Sequence, residues 1–105
     1  MDKSAVLDAL ARFREALALQ GVDSPRVVLF GSHVHGTARE DSDIDVVVIS
    51  DAFTVMSHWD RVKLLSKAIC ASNVLIEAVA MTKAEWNSGE SLIAAYAREG
   101  EEVAV

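Results

Sequence analysis

The sequence predicts an α/β fold in which a small mixed β-sheet is flanked by helices. Two observations support this prediction. Apolar residues in several segments recur every three or four positions, which is typical of helices that bury one face. Short runs rich in valine and isoleucine lie between those segments and are bounded by glycine or polar residues, which is typical of buried strands. Because the two kinds of segment alternate along the chain, we expect helices to cover the sheet.

The length and composition indicate a single domain spanning residues 1–105. Hydrophobic residues make up 51% of the chain and charged residues 25%, which is ordinary for a folded globular protein. A chain of this size forms one hydrophobic core and not two independent ones. We therefore expect one functional site or one interface.

The first predicted helix spans residues 4–20 and is followed by a strand. The apolar face of this helix is formed by Val6, Leu10, Phe13 and Leu17. Gly21 is a natural stop for the helix, because glycine adopts the left-handed conformation in which many helices end. Residues 26–30 are short, apolar and β-branched, and Gly31 ends the run. They predict a buried strand.

A polar loop and a second strand come next. Residues 31–42 are polar and punctuated by glycine, whereas residues 43–49 contain a continuous Val/Ile run, which indicates a strand covered on both faces. Ser57 followed by Asp60 resembles a helix-capping pattern. The predicted helix after this cap has its apolar face at Trp59, Val62, Leu65 and Ile69.

A third strand is predicted at residues 74–80. This run is apolar except for Glu77, and a charge in such a run calls for a functional or structural reason. Thr82 with Glu85 forms a second capping-box pattern, so another helix begins there. Residues 87–89, Asn-Ser-Gly, are expected to interrupt that helix.

The last part of the chain contains one more apolar stripe, at Leu92, Ile93 and Tyr96, which ends before Gly100. A short tail strand is expected at residues 103–105. The aromatic residues of the predicted helices are expected to pack in the core, with a partner interface as the alternative. These residues are Trp59, Trp86 and Tyr96.

The charge and cysteine content restrict the class of partner and the compartment. The net charge of −6 argues against direct nucleic-acid binding, which depends on Lys and Arg side chains that neutralise phosphates. The single Cys70 excludes an internal disulfide and fits a reducing compartment, so we expect a cytoplasmic protein. No apolar run approaches the length of a membrane span, and the start of the chain lacks a signal-peptide pattern.

Asp43 and Asp45 are the first candidate site residues. On a strand, side chains one residue apart leave the same face, with Cα atoms about 7 Å apart. Two carboxylates that converge on one site repel each other, and a divalent cation reverses the sign of that interaction. Mg²⁺ prefers oxygen ligands and typically takes one or two carboxylates together with phosphate oxygens.

Gly31, Ser32 and Glu77 are the remaining candidates. A strand that runs directly into Gly31 and Ser32 is suited to a phosphate, because glycine permits close backbone approach and the serine hydroxyl can donate a hydrogen bond. A short helix beginning near Ser32 would add the positive potential of its first amides. Glu77 is the acid within a strand-like run that can complete the metal site or act as a base.

These residues carry a resemblance to a known family. Gly31-Ser32, ten intervening residues and then Asp43-Ile44-Asp45 resemble the signature of the DNA polymerase β-like nucleotidyltransferase superfamily. Within it, the sequence is similar to the minimal nucleotidyltransferases, which are small single domains often encoded beside a HEPN-domain protein. The wider match comprises Leu29-Phe30-Gly31-Ser32, Gly36-Thr37-Ala38 and Asp41-Ser42-Asp43-Ile44-Asp45.

The resemblance implies a role for each site residue. Asp43 and Asp45 would bind Mg²⁺, Gly31 and Ser32 would hold the phosphates of the nucleotide donor ATP, and Glu77 would be the third acid. The sequence departs from the family in two respects. The third acid is usually an aspartate, and the loop positions of two histidines are commonly arginines. The histidines are His33 and His35.

The resemblance also implies a partner. The chain would act as the antitoxin of a HEPN toxin, forming a hetero-oligomer with it and neutralising it by transferring AMP to a toxin hydroxyl. Two alternatives remain open: a non-catalytic antitoxin that inhibits by occlusion, and a nucleotidyltransferase for a small molecule of the aminoglycoside type. A zinc site is not expected, because the spacings of the candidate ligands match no familiar pattern. These ligands are His33, His35, His58 and Cys70.

Overall fold

The structure is a computed structural model that describes residues 2–38 and 43–103. Five α-helices, four strands and one 3₁₀ helix follow one another in these ranges. In chain order they are α1 (Lys3–Leu19), β1 (Arg26–Phe30), α2 (Ser32–His35), β2 (Ile44–Ile49), a 3₁₀ helix (Asp51–Val55), α3 (His58–Ser72), β3 (Ile76–Met81), α4 (Lys83–Asn87), α5 (Leu92–Ala97) and β4 (Glu101–Val103).

The strands form one mixed sheet in the order β3-β2-β1-β4. Strand β1 is antiparallel to both β2 and β4, whereas β2 and β3 are parallel and are connected through α3. A parallel pair needs a crossover of this kind, because a tight turn can join only antiparallel strands. The predicted fold class, a small mixed sheet flanked by helices, is therefore confirmed.

Both faces of the sheet are covered. Helices α1 and α3 pack on one face, where Leu10, Phe13 and Leu65 meet alternate residues of β1 and β2. Helices α4 and α5 pack on the opposite face, where Trp86 and Ala94 meet the remaining residues. Every residue of β2 except one is buried, which explains its continuous Val/Ile run. The exception is Asp45, a candidate site residue.

Helix starts follow the local sequence closely. Asp2 caps α1 by accepting a hydrogen bond from the Ala5 amide at 2.8 Å. Ser57 caps α3, as the sequence predicts, with its hydroxyl accepting from the amide two residues beyond the helix start. At α4 the capping box is reciprocal: the amide of Thr82 donates to Glu85 Oε1 at 2.7 Å, and the amide of Glu85 donates to Thr82 Oγ1 at 3.1 Å.

The boundaries of some elements differ from those predicted. The third strand begins two residues later, at Ile76, and ends at Met81. The tail strand is β4, Glu101–Val103, and the last two residues of the predicted strand lie outside the described residues. Its two glutamates form ion pairs, with Lys3 at 2.6 Å and with Arg26 at 2.8 Å. The 3₁₀ helix was not predicted from the sequence.

Two of the three helix aromatics are not in the core. Trp86 is buried as expected, at 6% exposed, but Trp59 is 65% exposed and Tyr96 is 50% exposed. Each of these two residues lies on a helix whose buried face is formed by other residues. Helix α3 buries Leu65 and Ala68, and α5 buries Ala94 and Ala97. Apolar spacing did not distinguish the inner face of these helices from the outer one.

No helix within residues 2–38 and 43–103 is both long enough and apolar enough to cross a membrane.

Gly100 joins α5 to β4 at a point of close backbone approach. A Cβ atom at this position would overlap the carbonyl oxygen of Leu29, which belongs to the central strand β1. We therefore expect Gly100→Ala to lower the free energy of unfolding by about 1–3 kcal/mol, the usual cost of overpacking. Urea unfolding measures this change. The exposed neighbour Glu99→Ala serves as control and should change stability by less than about 0.5 kcal/mol; equal effects at the two positions would contradict the explanation.

Candidate active site

Three neighbouring strands place one side chain each in a single row at one end of the sheet. In the strand register, Asp45 of β2 lies opposite Phe30 of β1 and opposite Glu77 of β3. Residues at matching positions of paired strands point to the same face. The row lies on the face covered by α4 and α5, since Phe30 packs against that apolar cluster.

Asp45 and Glu77 are in direct contact through a side-chain hydrogen bond. A hydrogen bond between two carboxyl groups requires a proton on one of them. Burial, this hydrogen bond and the negative charge of Glu77 together raise the pKa of Asp45 to about 6. Asp43 raises this pKa further by its charge, whereas His33 lowers it, so both residues lie close to the pair.

Gly31 is required at its position for two reasons. Its φ angle of +79° lies in the region that side chains disfavour. In addition, a Cβ atom here would collide with the carboxylate of Asp45. The turn after β1 thus brings main chain directly against the carboxylate of Asp45.

The short helix α2 begins at Ser32, as the sequence suggests. The amides of Val34 and His35 donate to the carbonyl of Gly31, at 3.1 and 3.2 Å, and these bonds hold the single turn in place. Ser32 and His33 are half-buried. His33 lies near Asp45, whose pKa it lowers, whereas Ser32 lines a small pocket together with Lys3 and Val6. His35 instead faces the aromatic ring of Tyr96, with ring centroids 6.1 Å apart.

Asp43 lies immediately before β2 and is half-buried. The four residues that precede it, 39–42, lie outside the described residues. Within the described part of the chain, no three His, Cys, Asp or Glu side chains are grouped closely enough to hold a metal ion. The structure brings Asp45 and Glu77 together. The participation of Asp43 as a third metal ligand stays a prediction.

A cleft with a volume of about 410 Å³ opens beside the acidic pair. It is lined by Phe30, Asp45, Glu77, Ala78, Val79 and Ile93. Its volume falls in the usual range for small-molecule sites, and it combines an apolar wall with a few polar groups. Phe30 and Ile93 were not recognised as site residues from the sequence. A signal existed for Phe30, which directly precedes Gly31, but none marked Ile93.

A larger groove, of about 630 Å³, lies along the outer edge of β3 between α3 and α4. Its acid Glu85 already binds Arg61 at 2.7 Å and belongs to the capping box. Hydrogen bonding from the Thr82 backbone lowers the pKa of Glu85. None of the candidate site residues lines this groove, whereas Asp45 and Glu77 line the smaller cleft.

The residues present fit a bound Mg²⁺ ion. Asp45 and Glu77 lie opposite each other on paired strands and in side-chain contact, in a position where a cation would neutralise both carboxylates. Two carboxylates, completed by water and phosphate oxygens, are a typical ligand set for Mg²⁺.

Comparison with known proteins identifies the class of protein. The family model of the nucleotidyltransferase domain matches residues 10–94, so the chain belongs to this family. Domains of the family use nucleoside triphosphates and divalent metal ions. The match spans the glycine turn, the acidic pair and the cleft.

A crystal structure of a protein from Sulfolobus solfataricus, assigned as a nucleotidyltransferase, has a similar fold, with a TM-score of 0.52 at 20% sequence identity. The alignment covers 100% of this chain and 97% of that one. At this identity the likeness concerns the fold alone. No curated protein matches the sequence.

The acidic pair makes stability depend on pH in the absence of divalent cations. The pKa of Asp45 is about 6 in the folded protein, against an ordinary value of 3.8. Protonated Asp45 therefore stabilises the fold fully at low pH, and this contribution is lost as the pH rises through 6. Because the side chain is partly exposed, we expect a loss on the order of 1 kcal/mol.

Asp45→Asn removes this contribution, since the amide carries no charge at any of these pH values. Urea unfolding in EDTA at about pH 5 and about pH 7.5 should show a smaller pH dependence for this variant than for the wild type. Asp8→Asn, at an exposed position of α1, is the control and should behave like the wild type. An unchanged pH dependence in Asp45→Asn would refute the shared-proton contact.

Proposed function

We propose that this chain is a Mg²⁺-dependent nucleotidyltransferase that transfers AMP from ATP to a hydroxyl group. The observation that carries the proposal is the contact between Asp45 and Glu77 directly beside the Gly31 turn. Two carboxylates in contact are costly unless they serve a ligand, and a phosphate bound at the Gly31 turn would lie next to them.

The reaction forms one bond and breaks one. The acceptor oxygen attacks the α-phosphorus of ATP, the bond between the α-phosphorus and its bridging oxygen to the β-phosphate breaks, and pyrophosphate leaves. Glu77, at the open side of the cleft, accepts the proton of the hydroxyl. Ser32 and backbone amides of the Gly31 turn hold the departing phosphates.

Asp43, Asp45 and Glu77 are the proposed metal ligands. The bound ion would neutralise charge on the transferred phosphate and orient it for in-line attack. His33 stands beside the same carboxylates, where a positively charged residue is common in related proteins, and it is suited to contact the phosphates.

The proposed acceptor is a HEPN toxin, which makes this chain its antitoxin. The support is the resemblance to minimal nucleotidyltransferases over Gly31-Ser32 and Asp43-Ile44-Asp45. Trp59 gives independent support for a stable complex, because it is 65% exposed on α3, on a surface that it shares with Lys63 and Lys67, and exposed tryptophan is enriched at protein interfaces. The proposed assembly is a hetero-oligomer located in the cytoplasm.

One observation favours the second candidate, a non-catalytic antitoxin that inhibits by occlusion. The third acid is Glu77, at a position where the family usually has aspartate, and a fold can persist after its chemistry is lost. The two candidates differ in whether Asp43 and Asp45 are needed for neutralisation.

The test uses the chain purified with its partner. The complex is incubated with Mg²⁺ and ATP, and the intact mass of the partner is measured for the wild type and for Asp43→Asn/Asp45→Asn. We expect the mass of the partner to rise by one or more AMP units with the wild type only, because the variant lacks the charge that holds the metal. EDTA should abolish the increment in the wild type.

The matched control is Asp8→Asn/Asp23→Asn, which removes the same charge at exposed positions and should leave the increment intact. An unchanged partner mass, together with full neutralisation by Asp43→Asn/Asp45→Asn, would contradict the catalytic proposal and favour occlusion.

A further inference from the structure

An aromatic side chain stands half-exposed beside the cleft. Tyr96 projects from α5 with 50% of its surface accessible, although aromatic residues are usually well buried. Its ring packs edge-on against Phe30, with ring centroids 5.7 Å apart and an interplanar angle of 81°. The second ring neighbour is His35, at 6.1 Å. Tyr96 is therefore held in place on one side and open on the other.

This aromatic group is continuous with the active site. Phe30 lines the cleft together with Asp45 and directly precedes the Gly31 turn. Ile93 lines the same cleft, is 42% exposed and lies three positions before Tyr96 on α5, so the two share a helix face. We call the surface formed by Phe30, Ile93 and Tyr96 the apolar platform.

We propose that the apolar platform binds the purine base of the donor nucleotide. This inference rests on the proposed function, which places the phosphates at the Gly31 turn and the α-phosphate near Asp45. The nucleoside would then extend from the α-phosphate along the cleft, whose side wall is apolar. A purine is flat and has a weakly polar face, so an exposed aromatic ring next to an aliphatic side chain is a suitable surface for it.

The chemistry of the platform also determines how selective it is. Phe30 and Ile93 offer no hydrogen-bonding side-chain groups, and stacking tolerates any base because each has a π face. Among the described residues that line the cleft, the only charged or polar side chains are those of Asp45 and Glu77, which are engaged with each other. The site should therefore discriminate poorly between ATP and GTP.

Calorimetric titration with ATP and with inorganic tripolyphosphate, each with Mg²⁺, separates the base from the phosphates. Stacking on one aromatic ring is worth roughly 5- to 100-fold in affinity, so the wild type should prefer ATP to tripolyphosphate by a factor of this order. Tyr96→Ala should lose most of that preference while binding tripolyphosphate as before. Tyr96→Phe should retain it, and GTP should bind the wild type about as tightly as ATP.

Leu92→Ala is the matched control. Leu92 lies on the same helix, is 88% exposed and does not line the cleft. Its replacement should leave both affinities unchanged. An ATP preference that persists in Tyr96→Ala, or equal losses for both ligands, would overturn the proposal. Normal ATP binding with loss of AMP transfer in Tyr96→Ala would also overturn it, since the platform would then contact the acceptor.

The binding measurements test the apolar platform whether or not AMP is transferred to an acceptor. A wild type that binds ATP through Tyr96 but modifies no acceptor would support the platform and contradict the proposed function. AMP transfer with a nucleotide affinity that does not depend on Tyr96 would support the proposed function and contradict the platform.

Discussion

The contact between Asp45 and Glu77 is the constraint on which the arrangement of the site depends. Two carboxylates about 4 Å apart repel each other by up to about 4 kcal/mol at an effective dielectric constant of about 20. Burial, the hydrogen bond with Glu77 and the charge of Glu77 raise the pKa of Asp45 to about 6, which favours a proton on this pair. The parallel register of β2 and β3 places their backbone positions opposite each other. A pair of this kind is suited to a positively charged ligand, which would relieve the repulsion.

The rest of the molecule supplies the rigidity that this pair needs. Strand β2 is central in the sheet and is packed on both faces, by α1 and α3 on one side and by α4 and α5 on the other. The unfavourable charges are confined to the end of the strands, where the Gly31 turn meets them. This distribution is typical of functional sites, which are locally destabilised and supported by well-packed surroundings.

Elements with a strong local signal were predicted well. The Val/Ile run of β2 requires burial on both faces, and the capping pattern at Thr82 and Glu85 needs contacts only three residues apart. The 3₁₀ helix Asp51–Val55 and the exposure of Trp59 lacked such signals. Helix α3 carries apolar residues on more than one side, and only its packing against α1 and the sheet decides which side is buried.

In the candidate site too, some residues were indicated by the local sequence and others only by the tertiary structure. Local chemistry alone indicated Gly31, Ser32 and the Asp43-x-Asp45 pair, because a glycine turn after a strand and acids one residue apart constrain their own geometry. The partnership of Glu77 with Asp45 and the apolar wall with Ile93 were decided by tertiary structure. The residues involved are far apart in the chain, and strand register and the seating of α5 on the sheet bring them together. Such long-range contacts depend on how the whole chain packs, which no local pattern encodes.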